Sequence, residues 1–192
     1  MQQKGNQPNI EAILNGDSQA FSKLVDDYKN LVYTVALRML KNTEEAEEVA
    51  QDTFVKVFKS LKHFKGDSKF STWIYRVTYN TCLDRIKKNK KELLNTSIDA
   101  VEGFDIKDVN NALDTILANE KALLVRKCVE QLSYKDAAII SLFYFEEKNL
   151  KELSIILSLS ENTVKVRLFR ARTRLAIILK KQLKPVTLEN YG

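Results

Sequence analysis

Proline and glycine are scarce, two and five among 192 residues. So few turn formers argue against a fold of many short strands, and together with 44% apolar residues they point to an all-α protein. Only two cysteines, Cys82 and Cys128, and one histidine, His63, are present. Each thiol sits in an amphipathic run far from the other two, so buried reduced thiols are expected rather than a disulfide or a metal site. No apolar run approaches the roughly 20 residues that cross a bilayer, and Met1 to Asn9 lacks a signal peptide's apolar core, which predicts a cytoplasmic chain without membrane insertion. A lone histidine, no paired nucleophile and base, and no glycine-rich phosphate loop argue against an enzyme. No catalytic residue, cofactor or small-molecule substrate is expected.

What is present is charge, unevenly spread. The net charge is +6 and the pI about 9.2, which suits a polyanionic partner. Residues 150–184 hold nine basic side chains against Glu152 and Glu161. At 100° per residue, Val164, Leu168, Ala171 and Leu175 form one narrow apolar stripe, and Leu150, Leu153, Ile156, Leu157 and Leu159 supply the surface it packs on. Thr163, Arg167, Arg170 and Arg174 then border the stripe on one flank, Lys165 and Arg172 on the other, while Asn162 and Val166 point away from the core. Ser160 is the expected N-cap. A short apolar helix, a tight turn and a second helix with a basic surface outline a helix-turn-helix.

Upstream, Phe21, Leu24, Val25, Tyr28, Leu31, Val32, Val35, Ala36 and Met39 have helical spacing, with Asp17 or Ser18 as cap. Asn42 and Glu45 match a capping box opening a second helix through Ala46, Val49, Ala50, Phe54, Val57, Phe58 and Leu61. Its first turns carry Glu44, Glu45, Glu47, Glu48 and Asp52 with no basic residue, which reads equally as complementation of the helix dipole or as an acidic interface. A loop around Gly66 leads to a helix capped by Ser71 or Ser68. Residues 62–91 hold nine basic side chains against Asp67 and Asp84, interleaved with Phe64, Phe70, Trp73, Tyr75 and Tyr79. Cations follow phosphates and aromatic faces stack unpaired bases, so the mixture suits an opened nucleic-acid strand. Trp73 reads equally as a core residue or as a base contact.

From 92 to 120, seven acids face only Lys107, and residues 92 to about 110 read as a linker. Helical spacing resumes near Ala112 and runs through Leu113, Ile116, Leu117, Leu123, Leu124 and Val129. Ser133 and Asp136 match a capping box before Ala137, Ile139, Ile140, Phe143 and Tyr144. The fold expected is all-α: two small helical domains, 1–91 and 118–192, joined by an acidic linker over 92–117, the second domain a helix-turn-helix bundle.

Three stretches together resemble the bacterial extracytoplasmic function (ECF) group of sigma factors. They are Glu47-Glu48-Val49-Ala50-Gln51-Asp52-Thr53-Phe54, the run from Phe70 to Asn80 beginning Phe-Ser-Thr-Trp, and the run from Leu159 to Arg172. The resemblance spans residues 12 to about 182. It implies a non-catalytic initiation subunit whose partners are core RNA polymerase and promoter DNA, with an anti-sigma protein as a further candidate. Polymerase docking falls on Glu48, Gln51, Asp52 and Phe54. The melted −10 strand falls on Phe64, Lys65, Phe70, Thr72, Trp73, Tyr75, Arg76, Asn80, Arg85 and Lys88. The −35 duplex falls on Ser160, Asn162, Thr163, Lys165, Arg167, Arg170 and Arg172. Family members mostly carry Gly where Ser158 stands, at a turn whose left-handed backbone costs a non-glycine residue roughly 1 kcal/mol. Ser154 stands where Ala is usual. Ile155 replaces a charged residue and reads either as a stray exposed apolar group or as part of a partner surface. The rival reading is a conventional helix-turn-helix regulator in which only 150–184 meets duplex DNA.

Overall fold

The computed structural model describes residues 8–93 and 122–183, and among these no strand occurs. The first domain comprises α1 (Ile10–Leu14), α2 (Ser18–Leu40), α3 (Thr43–Ser60) and α4 (Phe70–Leu93), with a 3₁₀ turn, Leu61–His63, after α3. The second comprises α5 (Ala122–Glu130), α6 (Tyr134–Ile140), α7 (Leu150–Leu157) and α8 (Glu161–Leu183). Residues 92 and 93 of the expected linker belong to α4; the rest of it, and the helical spacing from Ala112 to residue 121, fall on 94–121, outside the described residues.

Helices α2, α3 and α4 pack on one another, and short α1, unforeseen in the sequence, adds Ile13 to their core. That core holds Leu24, Tyr28, Val32, Val57, Leu61, Phe70 and Ile74. In the second domain α7 and α6 pack against α8 through Leu153, Ile156, Ala137 and Ile140. Asp136, buried at the start of α6, ties the far side of α8 through a 2.7 Å contact with Arg174.

Local capping explains where the helices start. Asp17 Oδ1 accepts the N–H groups of Gln19 and Ala20 at 2.9 and 3.0 Å, and Ser160 Oγ accepts that of Thr163 at 3.2 Å. Two of the expected capping boxes are half formed. Asn42 accepts from Glu45 N–H, but the Glu45 carboxylate turns to Asn89 Nδ2 at 2.6 Å. Ser133 accepts from Asp136 N–H, but the Asp136 carboxylate goes to Arg174. A complete box, unforeseen, joins Asn149 and Glu152 at the head of α7. Helix α4 opens at Phe70, so Ser71 lies inside its first turn rather than capping it, and the Ser68 hydroxyl donates to the Lys69 carbonyl.

The domains are packed together rather than held apart. Helix α4 runs against α7 and α2 against α6, and one core joins Val35, Met39, Tyr75, Tyr79 and Cys82 of the first domain to Cys128, Leu132 and Leu153 of the second. Both thiols are buried and free, and burial raises that of Cys82 to about 12.

Between α7 and α8, Ser158 sits at φ 54°, ψ 48°, the left-handed conformation expected from a turn that usually carries glycine. Its Cβ is strained there. Ser158→Gly should therefore raise unfolding free energy by about 0.5–1 kcal/mol, the strain relief being partly offset by the freer unfolded chain. Urea unfolding followed by circular dichroism reads the shift, and a lower midpoint would refute the strain.

Candidate nucleic-acid interface

Helix α8 buries the stripe expected of it, Val164, Leu168, Ala171 and Leu175, and the stripe continues through Ala176 and Leu179. Burial of that stripe dictates what is left in solvent. Ser160, Asn162, Thr163, Lys165 and Arg170 are exposed, with the Ser160 and Thr163 hydroxyls 2.8 Å apart at the helix start. Two candidates turn inward. Arg172 is half-buried with its guanidinium 5.4 Å from the Tyr144 ring centroid. Arg167 is half-buried towards the first domain: burial raises the Tyr79 phenol, and the Arg167 charge works against that rise.

Two apolar side chains share the exposed face of α8. Val166 is 49% and Phe169 51% exposed, between Lys165 and Arg170. Phe169 had no assigned place from sequence. Its angle, 140° from Val164 around the helix, was the available signal.

The 62–91 segment divides into a sealed part and an open part. Phe70 is buried, and its ring packs at 5.3 Å on both Phe64 and Trp73, which themselves lie 5.4 Å apart. Trp73 and Phe64 are half-buried, so each packs on one side and offers an edge on the other. Lys65, Arg76, Asn80 and Lys88 are exposed. Thr72 and Tyr75 are buried against the second domain, and the Tyr75 hydroxyl donates to Glu146. Burial, then that hydrogen bond, raises the Tyr75 phenol far above its ordinary value, so it stays protonated and donating.

Arg85, assigned to DNA from sequence, lies with α3 instead. Its guanidinium meets Glu48 at 2.7 Å and Asp52 at 3.8 Å, and its side chain is largely covered. The hydrogen bond that Arg85 donates to Glu48 is the main cause of its raised pKa. Glu48, Gln51 and Asp52 are exposed along α3. Phe54 is half-buried in the first-domain core, whereas Val55 and Phe58 one turn on are exposed. The acidic start of α3 therefore runs into an apolar end. Beside it, a groove between α3 and α4 is lined by Asp52, Lys56, Asp84, Arg85 and Lys88, with Lys56 and Asp84 paired at 3.0 Å.

Among the described residues no cluster of metal-ligating side chains occurs, and no helix is long and apolar enough to cross a membrane. The arrangement is that of a binding protein: cationic faces, aromatic edges and an acidic helix.

Comparison with known proteins agrees with this geometry. Residues 24–92 match the family Sigma-70 region 2, and residues 122–175 match Sigma-70, region 4. The chain is 33% identical over 181 residues to the ECF RNA polymerase sigma factor SigW of Bacillus subtilis, covering 91% of this chain and 95% of that one. It is 28% identical to the RNA polymerase sigma-H factor of Pseudomonas aeruginosa, covering 88% and 91%. Among solved structures, RpoE of Bartonella quintana in complex with the anti-sigma factor NepR has a similar fold, with TM-score 0.63, 20% identity and coverage of 84% and 98%. CnrH in complex with the cytosolic domain of CnrY matches at TM-score 0.62, 22% identity and coverage of 90% and 95%. Region 2 and region 4 in this order, on a chain similar to SigW along nearly its whole length, place the protein in the sigma-70 family as an ECF sigma factor.

Proposed function

We propose that this chain binds core RNA polymerase through α3 and brings it to promoter DNA in the cytoplasm, contributing recognition and strand opening but no catalytic group. The domains assigned to these tasks are 1–91 and 118–192, with 92–117 as the connector. The observation that carries the reading is the exposed face of α8. Asn162, Thr163, Lys165 and Arg170 stand in solvent on a helix fixed from behind by its apolar stripe and by the Asp136–Arg174 contact. Such a helix suits the major groove of the −35 element, because long cations reach phosphates while short polar groups meet base edges. Lys65, Arg76, Asn80 and Lys88, beside the half-open Trp73 and Phe64 rings, suit the backbone and bases of an opened −10 strand. Glu48, Gln51 and Asp52 with Val55 and Phe58 suit a polymerase surface that is basic at one end and apolar at the other. Arg85 then acts within the chain, holding Glu48 and Asp52 in place. Likeness to two folds solved with bound anti-sigma proteins supports an anti-sigma partner here as well.

Run-off transcription with purified core polymerase tests the reading against a regulator that binds duplex DNA alone. Promoter-dependent transcripts are expected with no other initiation subunit added, and their absence would sink the proposal. Glu47→Lys, Glu48→Lys and Asp52→Lys combined should abolish polymerase association while preserving helical content.

Val166 and Phe169 carry a separate expectation. Apolar side chains on a reading helix meet the thymine C5-methyl group, whose burial is worth about 0.8 kcal/mol, roughly fourfold in affinity. Replacing thymine with deoxyuridine in a bound −35 site should weaken holoenzyme binding about fourfold at each contacted base. The Val166→Ala, Phe169→Ala variant should lose that sensitivity. Equal binding of both templates by the unaltered protein would remove the pair from the groove.

A further inference from the structure

Polar side chains meet in sequence along the line where α3 and α4 touch. Glu45 accepts from Asn89 Nδ2 at 2.6 Å, Glu48 and Asp52 both face Arg85, and Lys56 meets Asp84 at 3.0 Å. Numbers rise along α3 as they fall along α4, so the two helices run antiparallel in one register. Of these contacts the middle one has an unusual shape. Glu48 and Asp52 stand one helical turn apart, and like charges at that spacing repel. A single guanidinium answers both, with Nη1 2.7 Å from Glu48 Oε2 and Nη2 3.8 Å from Asp52 Oδ2. The Arg85 side chain is 19% exposed, whereas those of Glu48 and Asp52 are 65% and 60% exposed. Arginine therefore lies beneath the acids, and each carboxylate keeps an outward side for a partner. A planar fork can serve two carboxylates at once, which the point charge of a lysine cannot do.

For a basic partner, loss of Arg85 has two opposed consequences. One positive charge fewer makes the surface more acidic and strengthens attraction across solvent, an effect that salt screens to a few-fold at most. Without the fork, however, two carboxylate side chains turn freely and have to be ordered on binding. That ordering costs about two- to tenfold in affinity for each. Ordering therefore outweighs the gain in charge.

We propose that Arg85 is a positioning residue for polymerase docking: from α4 it holds Glu48 and Asp52 in the arrangement that meets the polymerase. Lys88, exposed in the same groove, is left to serve the −10 strand. The inference rests on the sigma-factor reading above and gives the polymerase contact a determinant on the helix that faces DNA.

Arg85→Gln and Arg85→Lys in the full chain test it. With core polymerase and no DNA, both variants should bind about tenfold more weakly, chiefly through faster dissociation, at unchanged far-ultraviolet helicity. Lysine keeps the charge and loses the fork, so full recovery by Arg85→Lys would reduce the residue to charge balance and overturn the proposal. Tighter binding by Arg85→Gln would overturn it as well. Each variant is then loaded on saturating polymerase and titrated with a forked −10 template, which should bind as it does to the unaltered holoenzyme. A loss confined to that template returns Arg85 to the DNA contacts, and equal losses in both titrations mark a damaged domain; either result sinks the positioning role. If the unaltered chain itself fails to bind core polymerase, the sigma-factor reading fails instead.

Discussion

Helix α4 has to be buried on two sides, and much of the architecture answers to that. Phe70, Ile74 and Thr78 face the three-helix core of the first domain, while Tyr75, Tyr79 and Cys82 face the core shared with the second. A helix buried on two sides leaves only a narrow exposed face, so polar groups on the covered sides need partners close by. Thr78 and Thr81 hydroxyls donate to the carbonyls four residues back, at 2.8 and 2.9 Å. Tyr75 is too long for that and finds Glu146. Tyrosine suits a covered face with one polar partner, because its ring packs and its hydroxyl donates.

The charge pattern divides along the same lines. Lys165 and Arg170 of α8 stand in solvent, whereas Arg174 is paired with Asp136 and the acids of α3 are partly answered from within by Arg85. Unopposed cations on a rigid helix attract a polyanion, and their cost in self-repulsion is relieved on binding. An acidic surface steadied by one covered arginine keeps a fixed geometry. Exposed pairs of this kind add little stability, so orientation is what Arg85 contributes.

Most helices were legible in the sequence because periodicity and caps are local. Asp17, Ser160 and the stripe from Val164 to Leu175 all behave as their spacing demands. The half-formed boxes at Asn42 and Ser133 show where local reading stops: Glu45 and Asp136 had better partners 44 and 38 residues away. The same limit governs the candidate site. Ser160, Asn162, Thr163, Lys165 and Arg170 are exposed because the helical wheel alone puts them there. Arg85, Arg167 and Arg172 turn inward towards groups on other helices, which spacing along one helix does not disclose. The packing of the domains was invisible for a related reason, since Glu146 and Glu152 look like ordinary surface acids until α4 lies opposite them.

That the domains meet through Glu146, Arg38 and the Tyr75 hydroxyl, and not through apolar side chains alone, bears on how easily they part. A half-buried ion pair gains little net free energy, because desolvation offsets most of the Coulomb attraction. On separation the carboxylate, guanidinium and phenol all regain water, so opening exposes groups that hydration welcomes. The apolar part of the contact is different: uncovering Tyr75, Tyr79 and Leu153 costs free energy in proportion to area. The apolar patch therefore supplies most of the stability of the contact between the domains, and Glu146 with Arg38 and Tyr75 sets its register.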